Sequence, residues 1–166
     1  MRFKYCPKCG KKLSLKELGD EGEMPYCISC EEPYMDSFNT CVIVTIINGD
    51  KIALVKQDRI SETNWILVAG YVKEGETAEE TVSREVEEET GISVKDCKYI
   101  SSYFHENGDN LMLGFIASVV DDEFSTSSEI DDIKWFKIEE SEKFMKKGSI
   151  AHQHFCKVRN YLNKLD

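Results

Sequence analysis

Three glutamates, Glu85, Glu88 and Glu89, stand at i, i+3 and i+4 in the stretch from Gly70 to Ile92. On a helix that spacing places them on one flank. Three carboxylates so close repel one another, and a bound divalent cation removes the repulsion. Oxygen-only donors suit Mg2+ or Mn2+ rather than zinc. Charge runs are commonly solvated helix faces, but Ala78, Val82 and Val86 form an apolar stripe along the same helix. Glu89 falls within the stripe, Glu85 beside it and Glu88 on the same flank, whereas Glu80 and Glu87 point to the opposite side. The three are therefore expected against the domain body. Arg84 adjoins them and is placed to pair with Glu76, which would fix the preceding loop to the helix.

A second constellation lies near the N-terminus. Cys6-x2-Cys9 and Cys27-x2-Cys30 are separated by 17 residues. Two such pairs suit a tetrahedral zinc ion held by four thiolates, since a two-residue spacer lets both sulfurs of one tight turn reach one metal. Gly10 permits the turn backbone after the first pair, and Lys4, Lys8, Lys11 and Lys12 offset thiolate charge. Four thiolates fill the coordination shell, so this zinc is read as a structural staple. A ribbon that docks substrate or partner is the sharper alternative. Cys41, Cys97 and Cys156 are isolated and read as packing residues.

The elements that must carry these groups change character at about residue 36. Residues 1–36 show no sustained periodicity. Beyond them, Cys41–Ile47 and Lys51–Val55 read as strands joined by Asn48-Gly49, a hairpin signal. Trp65–Val68 reads as a short strand. A loop from Ala69 to Gly75 leads to a helix over about Thr77–Thr90, closed by Gly91. Tyr99–Phe104, Leu111–Val119 and Ile133–Phe136 read as strands, with an acidic, serine-rich loop over Asp121–Asp132. Helices are predicted over Glu139–Lys146 and Ser149–Leu165, the latter with Ala151, Phe155, Val158, Leu162 and Leu165 on one face. His152 and His154 flank that face and are expected at the surface.

Composition narrows the function classes. The chain has 166 residues and a formal charge of -10, from 21 Lys plus Arg against 31 Asp plus Glu. A duplex nucleic-acid binder or an anionic-membrane binder would carry the opposite balance. No apolar run approaches the roughly 18 residues of a membrane span. The first residues lack the apolar core of a secretory signal, so a reducing, cytoplasmic setting is expected. Neither a Gly-x-Ser-x-Gly nor a P-loop pattern is present.

The stretch Gly70–Ile92 resembles the Nudix box, G-x5-E-x7-R-E-U-x-E-E-x-G-U with U apolar. It matches at Gly70, Glu76, Arg84, Glu85, Val86, Glu88, Glu89, Gly91 and Ile92. The resemblance implies an α/β fold, the Nudix α/β/α sandwich with a mixed β-sheet over residues 37–166, preceded by a small zinc ribbon over 1–36. It implies that Glu85, Glu88 and Glu89 bind catalytic Mg2+ with help from the Gly70 carbonyl, and that Arg84 and Glu76 support them. Relatives hydrolyse a nucleoside diphosphate linked to another group. Glu85 and Glu88 are both candidates to accept the water proton. Glu129 resembles a glutamate that some members supply from a downstream loop, and is equally readable as an exposed loop charge.

The four-cysteine ribbon ahead of such a domain resembles the NADH pyrophosphatase subfamily. So do Leu111-Met112-Leu113-Gly114-Phe115, Trp135-Phe136 before Glu139-Glu140, and Ser149-Ile150-Ala151. The subfamily's S-Q-P-W-P-F-P-x-S segment, associated with NAD(H) selectivity, is replaced here by Ser102–Asn110, in which the Trp and all three prolines are gone. Tyr103, Phe104 and His105 are candidates to contact a nucleobase. The expected substrate is a dinucleotide (NADH or NAD) or ADP-ribose, with AMP as one product. Alternatives are a nucleoside triphosphate pyrophosphohydrolase, removal of NAD caps from RNA, and a non-catalytic nucleotide sensor. A homodimer is the expected assembly.

Overall fold

The computed structural model describes residues 3–35, 37–125 and 130–164. Two compact units divide between Phe38 and Asn39, just after the change in composition. Among the described residues no helix is long and apolar enough to cross a membrane.

The first unit holds three short antiparallel strands, β1 (Ser14–Glu17), β2 (Glu23–Cys27) and β3 (Glu32–Pro33), with β2 central. The sequence predicts no regular strands here. They are too short for periodicity to register, and their small cluster is built around Cys6, Leu13 and Cys27 rather than an apolar face. Both cysteine turns close by the same backbone bond. The Gly10 N–H donates to the Cys6 carbonyl at 2.8 Å, and the Glu31 N–H donates to the Cys27 carbonyl at 2.8 Å. Gly10 has φ +72° and Glu31 φ +58°, so Glu31 takes a left-handed conformation that costs a side-chain-bearing residue about 1 kcal/mol.

The second unit is a six-stranded mixed sheet between helices. Its strands are β4 (Asn39–Asn48), β5 (Lys51–Lys56), β6 (Val68–Tyr71), β7 (Val94–His105), β8 (Asn110–Val119) and β9 (Asp132–Lys137). The order is β7-β8-β4-β5-β9, and β6 also pairs with β4. Strands β4 and β8 run parallel, and the other paired strands are antiparallel. The β4–β5 hairpin turns at Gly49-Asp50, with Asn48 opposite Lys51.

Alternation along β4 and β5 divides the core. Val42, Val44, Ile46, Ala53 and Val55 pack with Val82 and Val86 of α1 (Ala78–Thr90). Ile43, Ile52 and Leu54 pack with Phe155 of α3 (Ile150–Leu162). A strand covered on both faces reads as a continuous apolar run, which is why β4 is so uniformly β-branched. The result is the expected α/β/α sandwich.

Several local expectations are corrected. The strand placed at Trp65–Val68 begins at Val68. Trp65 and Ile66 make single bridges to Met145 and Val55 instead. The helix placed at Glu139–Lys146 is a single turn, α2 (Ile138–Ser141), followed by a 3-10 turn over Glu142–Phe144. It stops because Met145 is extended to pair beside Trp65. His154 is fully buried rather than at the surface. Gly114 makes its room: a Cβ there would lie 2.6 Å from the His154 ring. The His154 Nε2–H donates to the Phe115 carbonyl at 2.9 Å, and the Tyr103 hydroxyl lies 3.3 Å from Nδ1. Burial brings this imidazole down to about 4, against the opposing pull of the Phe115 carbonyl. His152 is also largely covered, its side chain 12% exposed beside Glu142. Leu165 lies outside the described residues.

Helix α1 is fixed at both ends. Thr77 and Glu80 form a reciprocal capping box, with the Glu80 N–H donating to Thr77 Oγ1 at 3.2 Å and the Thr77 N–H to Glu80 Oε2 at 2.8 Å. At the other end Gly91 has φ +73°, and its N–H donates to the Glu87 carbonyl at 2.8 Å. The acidic loop packs on this glycine: the Ser125 N–H donates to the Thr90 carbonyl at 2.9 Å, and a Cβ on Gly91 would lie 2.6 Å from Ser125 Cβ. Gly91→Ala is therefore expected to cost about 2–3 kcal/mol, combining backbone strain and overpacking. Gly49→Ala, with φ +58° and nothing within 4 Å of an added Cβ, should cost only the backbone part, about 1 kcal/mol. Urea denaturation of the two variants checks the difference, and equal losses would refute the packing role of Ser125.

Candidate active site

The loop after β6 and the first turns of α1 meet at one residue. Arg84 Nε donates to Glu76 Oε1 at 2.7 Å, and Nη2 to Glu76 Oε2 at 2.9 Å, a bidentate pair. Nη2 also donates to the Tyr71 carbonyl at 3.0 Å. Nη1 donates to Glu85 Oε1 at 2.6 Å and to Glu88 Oε2 at 2.9 Å. Glu76 in turn accepts from the Lys73 N–H at 3.2 Å and the Thr81 hydroxyl at 3.0 Å. The Arg84 guanidinium, then the Lys73 amide and the Thr81 hydroxyl, outweigh burial and hold the Glu76 carboxyl down at about 2. The same carboxylates push Arg84 up.

The helix presents the glutamates in graded exposure. Glu89 is buried at 7%, the Glu85 side chain is 12% exposed, and that of Glu88 is 54% exposed. Glu80 and Glu87 are exposed, as their helical phase predicts. Gly70 lies against Glu85 so closely that a Cβ built on it would fall on the carboxylate. This cradle exists only because β6 carries glycine there. Carboxylate oxygens and backbone beside them make a donor set fit for a hard divalent cation. The residues present therefore fit Mg2+ or Mn2+.

These groups form one wall of a cleft of about 530 Å³, lined also by Cys41, Arg59, Ile60, Lys73, Asn110 and Met112. The Lys73 ammonium lies 3.7 Å from Glu88 Oε1. Arg59 and Lys73 were not singled out by sequence reasoning. Part of their signal was available, because a polyanion site needs cations and Lys73 lies in the loop inside the motif, whereas Arg59 stands in a loop ahead of it. Cys41 is buried as expected, but it also faces the cleft, and burial together with Glu85 pushes its thiol up.

The remaining candidates are not gathered there. The Tyr103 ring packs edge-on to His154 at 5.8 Å, with the Lys157 ammonium 4.6 Å from its centre. Phe104 is half-exposed and His105 exposed. None of the three is among the residues that line the cleft. Glu129 lies outside the described residues. The loop that leads to it is anchored by the Trp135 indole N–H, which donates to the Asp122 carbonyl at 2.9 Å, and by Phe124 stacked on Trp135.

In the first unit the four sulfurs of Cys6, Cys9, Cys27 and Cys30 all lie within 4.8 Å of one another. Burial would raise the Cys6 thiol, but the Tyr34 hydroxyl at 3.1 Å and the Cys9 and Lys8 amides bring it down to about 6. The Cys9 thiol, burial and the other two sulfurs push Cys30 up to about 12. Four thiols packed so tightly cannot all ionise without a cation among them. This donor set fits zinc. Lys8 and Glu32, 2.6 Å apart, flank the cluster, and the Tyr34 hydroxyl donates to Glu32 Oε2 at 3.3 Å.

Comparison with known proteins follows the same lines. A family model described as NUDIX domain matches residues 37–156. The chain is similar to the NAD-capped RNA hydrolase NudC of Photobacterium profundum, 34% identical over 148 residues that cover 89% of this chain and 54% of that protein. It is similar to the human NAD-capped RNA hydrolase NUDT12, 30% identical over 174 residues that cover 92% of this chain and 37% of that protein. The chain spans about half the length of the NudC relatives it matches. A Nudix hydrolase structure from Nitrosomonas europaea superposes with TM-score 0.75 at 21% identity, over 98% of this chain and 92% of that one.

The Glu76–Arg84 pair gives stability a defined pH dependence. A carboxyl depressed in the folded state contributes fully above its unfolded pKa, and that contribution is lost as pH falls through the folded value. For Glu76 the window runs from about pH 4.5 down to about 2. Glu76→Gln should lower Tm at pH 7 and show a smaller further loss between pH 5 and pH 2.5 than the parent. Thermal melts across that range test this, and parallel curves for the two proteins would refute it.

Proposed function

The chain belongs to the Nudix family, and on that premise we propose that it is a Mg2+-dependent pyrophosphohydrolase. Its substrate is a nucleoside diphosphate linked to another group, most simply a dinucleotide such as NADH or NAD, or ADP-ribose, cleaved to give AMP. The observation that carries this reading is the convergence of Glu85, Glu88 and Glu89 on a cleft that also holds Arg59 and Lys73. Carboxylates alone would repel a diphosphate. Carboxylates able to hold a divalent cation, with two basic side chains beside them, accept one.

Glu85, Glu88, Glu89 and the Gly70 carbonyl are the groups that would hold Mg2+. Bound there, the ion would screen diphosphate charge and make an attacking water more acidic. The chain's own groups divide the remaining work. Glu85 is pinned between Arg84 and Gly70, so its place is fixed. Glu88 accepts one Arg84 N–H at 2.9 Å but is half-exposed on the cleft wall, where water reaches it, so we assign it as general base. Arg84 and Glu76 position these carboxylates and do not touch the substrate. Arg59 and Lys73 orient the phosphates. The names of the NudC and NUDT12 relatives support an NAD-type substrate. The replaced Ser102–Asn110 segment argues that the nucleobase is held differently.

The four-cysteine cluster is proposed as a structural zinc site. The full chain should release zinc when its thiols are titrated with a mercurial, and Cys27→Ser should lower tightly held zinc by one per chain. Unchanged zinc content in that variant would overturn the assignment.

Product analysis tests the activity. The protein and Glu88→Gln are incubated with Mg2+ and NADH, NAD, ADP-ribose or nucleoside triphosphates. AMP with the partner monophosphate is expected, with kcat lower by about 10²–10⁴ in Glu88→Gln. Pyrophosphate from triphosphates alone would overturn the substrate assignment and leave the reaction class. Binding of ADP-ribose or NAD without turnover across the panel would overturn catalysis and identify a sensor.

A further inference from the structure

Three unlike donors meet on the face of the sheet opposite α1. His152 and Cys156 stand one turn apart on α3, and Glu142 reaches them from the 3-10 turn after α2. None of them lines the carboxylate cleft. His152 Nε2 lies 3.1 Å from Glu142 Oε1 and 3.8 Å from Cys156 Sγ. One ligand atom from each residue lies within 4.8 Å of the other two.

Such a trio has two readings, and the ring nitrogens decide between them. A nucleophile relay needs the thiol on one nitrogen of the imidazole and the acid on the other. Here thiol and acid both approach Nε2, while the Gly148 N–H donates to Nδ1 at 3.3 Å, so the ring hydrogen lies on Nε2 and is given to Glu142 Oε1. The donors are grouped around one point rather than strung along a line. In a tetrahedral zinc site with Zn–S of about 2.3 Å and Zn–N and Zn–O of about 2.0 Å, the S–N and N–O edges are roughly 3.5 and 3.3 Å, within about 0.3 Å of those observed.

The surroundings suit a metal. The Arg159 guanidinium bonds Glu142 Oε2 at 2.7 Å, which turns Oε1 toward His152 as an outer partner orients a ligand. A cleft of about 540 Å³, lined by Glu139, Glu140 and His152 and also by Lys143 and Lys147, opens beside the trio and gives access to a fourth position. Sulfur and nitrogen donors exclude Mg2+ and favour zinc-class ions.

We propose that Glu142, His152 and Cys156 form a zinc-class metal site with one open position, separate from the four-cysteine cluster and from the carboxylate cleft. On binding, Cys156 gives up its thiol proton to solvent, His152 loses its Nε2 hydrogen to solvent and takes one up at Nδ1, and the thiolate, the freed Nε2 lone pair and Glu142 Oε1 become the ligands. The neutral imidazole then carries its hydrogen on Nδ1, so the exposed Gly148 turn, at φ +82°, shifts away from that nitrogen. The metal ties the Glu142–Phe144 turn to α3.

Alkylation mapping tests the site in the full chain. Protein in millimolar Mg2+, which occupies the carboxylate cleft, is treated with iodoacetamide with and without Zn2+, and labelling of Cys156 is read by peptide mass analysis. Zn2+ should slow labelling of Cys156 at least tenfold. His152→Gln and Glu142→Gln should each abolish that protection and bind one fewer zinc per chain, while Cys6, Cys9, Cys27 and Cys30 stay protected and circular dichroism stays unchanged. Equal labelling of Cys156 with and without Zn2+ in the parent protein would overturn the proposal. So would protection that survives in both variants. The readout does not depend on hydrolysis, so it stands or falls apart from the catalytic reading.

Discussion

The Arg84 guanidinium has five N–H donors, and five hydrogen bonds leave it for Glu76, Glu85, Glu88 and the Tyr71 carbonyl. These partners come from the end of a strand, a loop and a helix. The planar fork therefore sets three pieces of chain against one another at once. A lysine there has only three N–H donors on one nitrogen and could not make these five bonds or the bidentate pair with Glu76. Much of the site's geometry depends on this network. It fixes where the loop from Val72 to Thr77 lies on α1, and it restrains two of the three glutamates before any cation arrives.

The network can do this because α1 itself does not slide. The capping box fixes its start, and Gly91 with Ser125 packed on it fixes its end. Val82 and Val86 are fully buried against the sheet, which fixes its rotation. A helix locked in length, position and phase carries Glu85, Glu88 and Glu89 to a single place. The sheet then contributes by omission. With glycine at position 70, the strand approaches the Glu85 carboxylate more closely than any side chain would permit. Preorganisation of this kind means that these carboxylates would need little rearrangement to hold a cation, and less ordering cost would be charged to binding.

What could be read from the sequence was the local part. The Glu85, Glu88 and Glu89 cluster, the Thr77 start and the Gly91 stop of α1 all lie within one helix, and 3.6-residue periodicity relates them directly. The cysteine pairs are likewise local turns with fixed spacing. The sandwich was implied by the resemblance of Gly70–Ile92 to the Nudix box, and β4, apolar on both faces, agrees with it. The misread parts are contacts between distant segments. His154 looks like a flank residue on a helical wheel, and only the pairing of α3 with Gly114 on β8, forty positions earlier in the chain, reveals that it is buried. The turn at Met145 ends a helix that propensity favours, because Trp65 offers a strand partner. Arg59 reaches the cleft from a loop with no periodicity at all.

The Tyr103–His154 pair shows how a scaffold and its selectivity can part. In β7, Tyr103 stands opposite Met112, which lines the cleft, yet its own ring turns to the α3 face and its hydroxyl meets a neutral, buried imidazole. An aromatic committed to that pair has its edge covered and its polar atom satisfied. Freeing it to stack on a base would leave His154 Nδ1 buried without its partner, at a cost of about 1–3 kcal/mol. The replaced segment Ser102–Asn110 is thus tied into the core at Tyr103. On the proposed function, recognition of a nucleoside would rest on the other residues of the cleft wall, with Ile60, Tyr71 and Met112 offering apolar surface and Asn110 a hydrogen-bonding edge. The carboxylate cluster, held by Arg84 on a separate helix, makes no contact with the Tyr103–His154 pair and is indifferent to that exchange.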